Sequence, residues 1–335
     1  MDLIATGATS RPSCEFHNNS QHHEPGLLMA TYDTLLFFAL LIFKYIRLIV
    51  QGLAYLRYRP IPIPKNPNLT PAAVTTVIAT LGKSPVALFE GVHCHIQAGI
   101  QNIWICTPPN TFEEIQALSI EIAKRHDRVR IDVCQASYAN KREQLACAIT
   151  HIPEDRKRVH RIIVFADDDI VFPENTVRWM LAAFEKDKVG GVGTCQRARG
   201  VADGSPSRRI INSIFRDYIE RRNFENLATL TIDGSISCLS GRMAGFRSEI
   251  VEDPRFLSGF TGETWNGRPL NADDDNFWTR YLLENDWSIK IQSHRECQVE
   301  TIFGTSTQEL WRFVRWQRSN PRSNSKSLRN FKNWR

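Results

Sequence analysis

Arg161-Ile162-Ile163-Val164-Phe165-Ala166-Asp167-Asp168-Asp169 is the stretch on which the fold turns. Its β-branched and aromatic run reads as a buried strand, and three carboxylates follow with no spacer. Adjacent carboxylates at a strand's end repel one another unless a cation sits among them. A hard divalent ion, Mg2+ or Mn2+, takes such oxygen donors together with substrate phosphates. The bland alternative is a solvated acidic turn ahead of Pro173.

Upstream, three similar runs precede this strand: residues 74–80, 100–106 and 129–134. Residues 112–125 carry helical periodicity. Short β-branched runs alternating with helical segments predict an α/β fold with a mostly parallel, doubly wound sheet. Ligands of such sheets bind beyond the carboxyl ends of the strands, where the acidic triplet lies.

Downstream stands a second triplet, Asp273-Asp274-Asp275, opening a helix through Phe277, Tyr281 and Leu282. Carboxylates also suit a helix N-terminus, so capping remains open here. A third element follows: Arg312, Phe313, Val314, Arg315, Trp316, Gln317, Arg318 and Ser319, then Pro321 and Arg322. Arginine forks suit phosphate oxygens and Trp316 offers a flat face to a sugar ring, although a basic amphipathic helix on lipid fits equally.

The 335 residues suffice for one large α/β domain or two modest ones. With 42% hydrophobic and 23% charged residues, wholesale disorder is excluded. The net charge of +6 suits an anionic substrate or membrane surface, whereas no zinc-finger spacing, RNA-recognition signature or dense basic stripe supports nucleic-acid binding. Eight cysteines are scattered singly without a C-x-x-C pair, which predicts buried, reduced thiols in the cytosol. His93, Cys94 and His95 read as a helical or loop surface, because no second ligand pair stands at a workable spacing.

Residues 1–26 are polar and predict a disordered tail. Residues 27–59 turn apolar and predict a transmembrane or interfacial helix, with Asp33 or Lys44 near an interface. Arg47, Arg57 and Arg59 then place the remainder on the cytosolic side. Pro60, Pro62, Pro64 and Pro67 mark a stiff, extended linker over residues 60–69. Neither a G-x-G-x-x-G after the first strand nor a G-x-x-x-x-G-K-[ST] is present, which argues against a dinucleotide-binding oxidoreductase or a P-loop enzyme.

In order and spacing the chain resembles the processive family-2 glycosyltransferases, closest to hyaluronan synthases and fungal polysaccharide synthases, with chitin and cellulose synthases further off. Six segments carry this likeness. Asn140-Lys141-Arg142-Glu143-Gln144 resembles a Gly-Lys-Arg-Glu segment near the donor nucleotide, and Asp167-Asp168-Asp169 stands at the D-x-D position. Val189-Gly190-Gly191-Val192-Gly193 is similar to the family's V-G-G-V-G run. Cys238-Leu239-Ser240-Gly241-Arg242 resembles C-I-S-G-P, with Arg242 for the proline. Asp274-Asp275 resembles G-D-D, with Asp273 for the glycine, and Arg312-x-x-Arg315-Trp316 resembles Q-x-x-R-W, with Arg312 for the glutamine.

The resemblance spans residues 60–324 and implies a GT-A glycosyltransferase domain over residues 70–324, followed by a basic tail, 325–335. It implies a membrane-bound enzyme that transfers sugar with inversion from a UDP-sugar to a growing β-linked glycan. Asp275 would be the general base beside Asp274. Thr80, Lys141, Arg142, Asp167, Arg315, Arg318 and Arg322 would contact the donor. Asp167, Asp168 and Asp169 would hold Mg2+ or Mn2+, with Asp168 the favoured ligand, and Ser240, Gly241 and Trp316 would meet the acceptor. Three departures stand out. No proline precedes Thr80, no acidic residue follows Cys106, and the chain stops at Arg335 without the membrane helices of polymer-extruding relatives. That last feature leaves open a truncated chain, an enzyme that does not itself translocate its product, or a silent paralogue that associates with a full-length synthase or with itself.

Overall fold

The computed structural model describes residues 25–153, 161–200, 205–302 and 310–329. The expected tail at residues 1–26 falls almost wholly outside these, as do the last six residues of the expected basic tail. The chain divides into two compact units, one ending at Val50 and the other running Gln51–Arg335. Helix α1 (Pro25–Arg57) begins in the first and ends in the second. Its Thr31–Arg57 stretch has a mean hydropathy of 1.8 and is long and apolar enough to cross a membrane.

In the second unit, strand and helix alternate as the sequence pattern predicts: β1 (Val74–Ala79), α2 (Pro85–Gln97), β2 (Asn102–Thr107), α3 (Phe112–Ala123), β3 (Arg130–Gln135), α4 (Lys141–His151) and β4 (Ile162–Asp167). After the acidic turn come β5 (Ile170–Val171), α5 (Thr176–Phe184), β6 (Val189–Thr194) and β7 (Gln196–Ala198). The long α6 (Pro206–Asp233) leads to β8 (Met243–Arg247), α7 (Ser248–Val251), α8 (Pro254–Gly262) and the hairpin β9 (Thr264–Trp265) and β10 (Arg268–Pro269). Helix α9 (Asp274–Glu284), β11 (Ser288–Gln292), β12 (Val299–Thr301) and α10 (Trp311–Arg329) complete the chain.

Seven strands form the main sheet in the order β11-β6-β8-β4-β1-β2-β3. Only β8 runs antiparallel to its neighbours, β4 and β6. Both faces are covered. Along β4, Ile163 and Phe165 point into one apolar layer with Phe246 and Trp278, while Ile162, Val164 and Ala166 point into the other with Ile78 and Met180.

The glycine-rich β6 makes close packing possible. A Cβ at Gly191 would stand 2.5 Å from Leu282 of α9. The V-G-G-V-G run therefore lets α9 lie flat on the sheet, which sets the position of the second acidic cluster.

Two expectations need correction. His95 is not on a surface: it is fully buried, with Nδ1 3.2 Å from Thr76 Oγ1 and its ring edge-on to Phe172, and burial lowers its pKa to about 3. The proline-rich segment carries no regular secondary structure, as expected, but it is fastened to the domain. Ile61 exchanges 2.9 Å hydrogen bonds with the Gln292 side chain in both directions, and Asn68 donates to Glu185 from its backbone and side-chain nitrogens.

Candidate active site

Helix α4 packs on β1, β2 and β3, and the side chain of its first residue reaches the end of β4. Asn140 caps it, its side-chain oxygen accepting from the amides of Arg142 and Glu143. This places Lys141 in the first helical position with its side chain across the acidic turn. Lys141 Nζ lies 2.5 Å from Asp167 Oδ1, 3.2 Å from Asp274 Oδ2 and 3.0 Å from the Gly241 carbonyl. Burial alone would depress its pKa, but the charges of Asp167 and Asp274 outweigh this and raise it.

The two carboxylate clusters, far apart in sequence, thus share one ammonium group. Gly241 sits against both partners. A Cβ there would be 3.3 Å from Asp274 Oδ2 and 3.3 Å from Lys141 Nζ. Residues 238–242 are held to α9 by two hydrogen bonds, with a third inside α9 fixing the Thr279 hydroxyl. Leu239 N donates to Thr279 Oγ1 at 2.8 Å, that hydroxyl donates to the Asp275 carbonyl at 2.6 Å, and Trp278 Nε1 donates to the Leu239 carbonyl at 3.0 Å.

A cleft of about 250 Å3 runs between the clusters, lined among others by Asp167, Asp169, Ser240, Asp275, Arg315 and Trp316. A second cleft of about 390 Å3 is lined by Thr80, Asn140 and Asp168. Lys141, Asp167, Asp169 and Arg312 line both, so the two clefts adjoin.

Within the first triplet, the three side chains part company. Asp168 accepts from Thr80 Oγ1 at 2.5 Å and lines only the second cleft. Burial raises its pKa, against the pull of that hydroxyl. Asp169 is raised to about 6 by burial and by Asp167 and Asp168, opposed by Arg312 and Arg242. Asp167 and Asp169 are the pair that faces the cleft between the two clusters. Asp168 lines the second cleft beside Asp167 and Asp169.

In the second triplet, burial and the charge of Asp274 raise the Asp275 pKa, while Arg222 and Cys238 oppose the shift. Asp273 occupies the left-handed region at φ 64°, which favours the glycine it replaces. Its buried carboxylate pairs with Arg322 and accepts from Ser319.

Three residues expected at the donor lie elsewhere. Arg142 is buried and lines neither cleft. Its guanidinium donates to the carbonyls of Phe260, Ala272 and Asp273 and pairs with Glu263 at 2.8 Å. Arg322 is held by Asp273 instead of turning toward a diphosphate. Arg318 is exposed on α10, outside both clefts. Helix α10 also continues past the expected boundary at residue 324, and Lys326, assigned to a basic tail, reaches Glu263 at 2.6 Å.

Trp316 does line the cleft, packed on Tyr218 at 5.1 Å between ring centroids and beneath Arg242 at 5.5 Å. Two arginines at the cleft carry no role in the sequence analysis. Arg242 donates to Gln196 Oε1 at 2.7 Å and faces Asp167 and Asp169, and Arg222 approaches Cys238 and Asp275. Arg242 was visible as the residue that follows Ser240-Gly241. Arg222 sits in a long polar helix with no local motif to mark it.

The sequence is 40% identical over 292 residues to a type 2 glycosyltransferase of Pyricularia oryzae, covering 87% of this chain and 58% of the relative. A type 2 glycosyltransferase of Gibberella zeae is 39% identical, with 89% of this chain and 55% of that protein covered. The chain thus spans little more than half the length of these curated relatives.

Among solved structures, the mannosyltransferase PcManGT of Pyrobaculum calidifontis, determined with GDP-Man and Mn2+, superposes with a TM-score of 0.59. It is 16% identical, with 84% of this chain and 72% of that chain covered. This shared architecture is the GT-A fold, an α/β sheet layered by helices. The sequence model of the glycosyltransferase-like family 2 matches residues 71–319, which include every element lining the two clefts, and the chain belongs to that family.

Proposed function

We propose that the chain is an inverting, metal-dependent glycosyltransferase that passes a sugar from a UDP-sugar to a growing β-linked polysaccharide, in the manner of hyaluronan synthase-like enzymes. The observation that carries this reading is the position of Lys141 Nζ, bonded to Asp167 on one side and Asp274 on the other, with adjoining clefts beside both. A sugar seated there has one carboxylate cluster toward its diphosphate and the other toward its opposite face.

The donor nucleotide occupies the cleft at Thr80, Asn140 and Lys141, with its diphosphate toward the shared lining. Asp167 and Asp169 fit a hard divalent cation: both present oxygen donors, and Asp169 is already crowded by two neighbouring carboxylates. Once bound, such an ion neutralises charge on the leaving diphosphate. The Mn2+ and GDP-Man in the fold neighbour's structure support a nucleotide sugar with a divalent ion.

Asp275 takes the proton from the attacking acceptor hydroxyl at its carboxylate, and burial beside Asp274 makes it a stronger base than an exposed aspartate. The positive charge of Arg222 opposes that rise. Lys141, Arg312 and Arg315 offset negative charge developing along the cleft. The edge of Trp316 and the Ser240-Gly241 backbone position the acceptor. Helix α1 anchors the enzyme at a membrane, with the catalytic unit on the cytosolic side.

The test is nucleoside-diphosphate release from UDP-GlcNAc, UDP-GlcA, UDP-glucose and GDP-mannose, each with and without Mn2+, in the presence of acceptor oligosaccharides. Release with a UDP-sugar that depends on the metal and is lost in Asp275→Asn is the expected outcome. Turnover in that variant overturns the base assignment, a preference for GDP-mannose overturns the donor class, and no release from any donor overturns the enzymatic reading.

A further inference from the structure

Beneath α4, away from the carboxylates, three thiols meet that the proposed reaction does not use. Cys106 of β2 and Cys134 of β3 are register partners on adjacent parallel strands, so their side chains stand side by side on one face of the sheet. Cys147 of α4 comes down onto them. The three Sγ atoms all lie within 4.8 Å of one another. Cys106 and Cys134 are buried, while Cys147 is partly exposed and gives the cluster an opening to solvent. One helical turn on, His151 donates from Nδ1 to the Cys147 carbonyl at 2.8 Å, with that nitrogen 3.7 Å from Cys147 Sγ, so its ring must turn to ligate.

We propose that Cys106, Cys134 and Cys147 form a binding site for a thiophilic d10 cation of the zinc type, with His151 or a water as the fourth donor. Thiolate sulfur selects a soft or borderline cation over the hard Mg2+ or Mn2+ that suits the aspartates, so the two sites take different metals. A Zn–S bond of roughly 2.3 Å sets tetrahedral sulfurs about 3.8 Å apart, within reach of small side-chain rotations from the present separation. A disulfide would demand about 2.0 Å between two sulfurs and leave the third thiol unused. Convergence of three sulfurs from three separate elements, with a histidine one turn along, matches the donor set of a cation.

Hydrogen bonding with Cys134, then burial, hold the Cys106 thiol well above its ordinary range, and burial pushes Cys147 up to about 11, so a cation must displace protons to bind. The site also lies close to the machinery of α4. Gln144 donates to the carbonyls of Cys106, at 2.8 Å, and Thr80, at 2.7 Å, and Lys141 opens the same helix. A bound ion would clamp α4 to β2 and β3 at the level from which Lys141 is aimed.

Co2+ serves as the spectroscopic stand-in for Zn2+, titrated into the reduced, full-length protein. The expected result is one equivalent giving sulfur-to-cobalt charge transfer in the near ultraviolet and intense tetrahedral d–d bands in the red. One equivalent of Zn2+ should abolish these bands, and excess Mn2+ should leave them unchanged. Cys147→Ser, which keeps a small side chain at this half-buried position, should remove the bands, whereas Cys94→Ser should keep them. Absence of thiolate bands in the folded wild-type protein, or their persistence in folded Cys147→Ser, overturns the assignment. These readouts do not depend on glycosyl transfer.

Discussion

Arg322 reaches the carboxylate of Asp273 with both Nε and Nη2 at 2.6 Å from Oδ2, joining α10 to the left-handed residue that opens α9. The pair is buried, with side-chain exposures of 18% for Arg322 and 2% for Asp273. An aspartate occupies this left-handed position, and an arginine 49 residues further along the chain supplies its counter-charge. The helix bearing Arg312, Arg315 and Trp316 is thereby locked over the site.

Arg322→Ala leaves the Asp273 carboxylate buried without its charge partner, which costs about 3 kcal/mol. Asp273→Gly removes the charge and also relieves a left-handed backbone at roughly 1 kcal/mol. The double variant is therefore expected to be more stable than Arg322→Ala alone. Denaturant midpoints for the two single variants and the double variant measure the coupling, and simple additivity contradicts it.

Lys141→Met removes the cation shared by Asp167 and Asp274. Turnover is expected to fall by roughly 100-fold or more, because two carboxylate clusters are left to repel each other and an incoming diphosphate. Single-turnover kinetics at saturating donor check this. A change confined to the KM for donor would assign Lys141 to binding alone.

Asp275 has a pKa raised by burial and by Asp274, so its proton is retained above the usual carboxylate range. A general base acts only when ionised, and kcat/KM is expected to fall as pH drops through that raised value. The linkage to stability has the opposite sense. A carboxyl raised in the folded state stabilises at low pH, and that contribution is lost as pH rises through its folded pKa. Asp275→Asn should flatten this limb of the stability profile, as thermal unfolding across pH 4 to 8 will report.

Asp169, raised to about 6, predicts proton-linked metal binding. Affinity for Mn2+ should climb as pH passes through about 6 and level off above it, because the ion competes with one proton below that point. Asp169→Asn is expected to weaken binding and remove the pH dependence. Isothermal titration in two buffers of different ionisation enthalpy counts the proton released. No proton release at pH 5.5 would place the metal elsewhere.

Legibility in the sequence followed physical range. The strand ending at Asp167 and the helix beginning at Asp274 were readable because hydrophobic runs and helix-opening carboxylates are local signals. Arg142, Arg318 and Arg322 were not, because an arginine's role depends on which carbonyl or carboxylate comes within reach of a long side chain. Arg142 turned inward to Glu263 and Ala272, whereas its neighbour Lys141 turned to the cleft, and a single residue step along α4 made the difference. The three thiols at Cys106, Cys134 and Cys147 are widely spaced in the chain and reveal their proximity only through strand register and the placement of α4.

The sequence by itself determined an alternating α/β sheet, an apolar N-terminal helix, and acidic clusters at element boundaries, since periodicity and charge are written residue by residue. Tertiary structure alone decided that both clusters meet on one lysine and that Asp168 turns toward Thr80 while Asp167 and Asp169 face the cleft. It also decided which arginines serve the interior. The reason is that Coulomb and hydrogen-bond interactions act over a few ångströms of space, and a chain's folding, not its order, chooses which groups come that close.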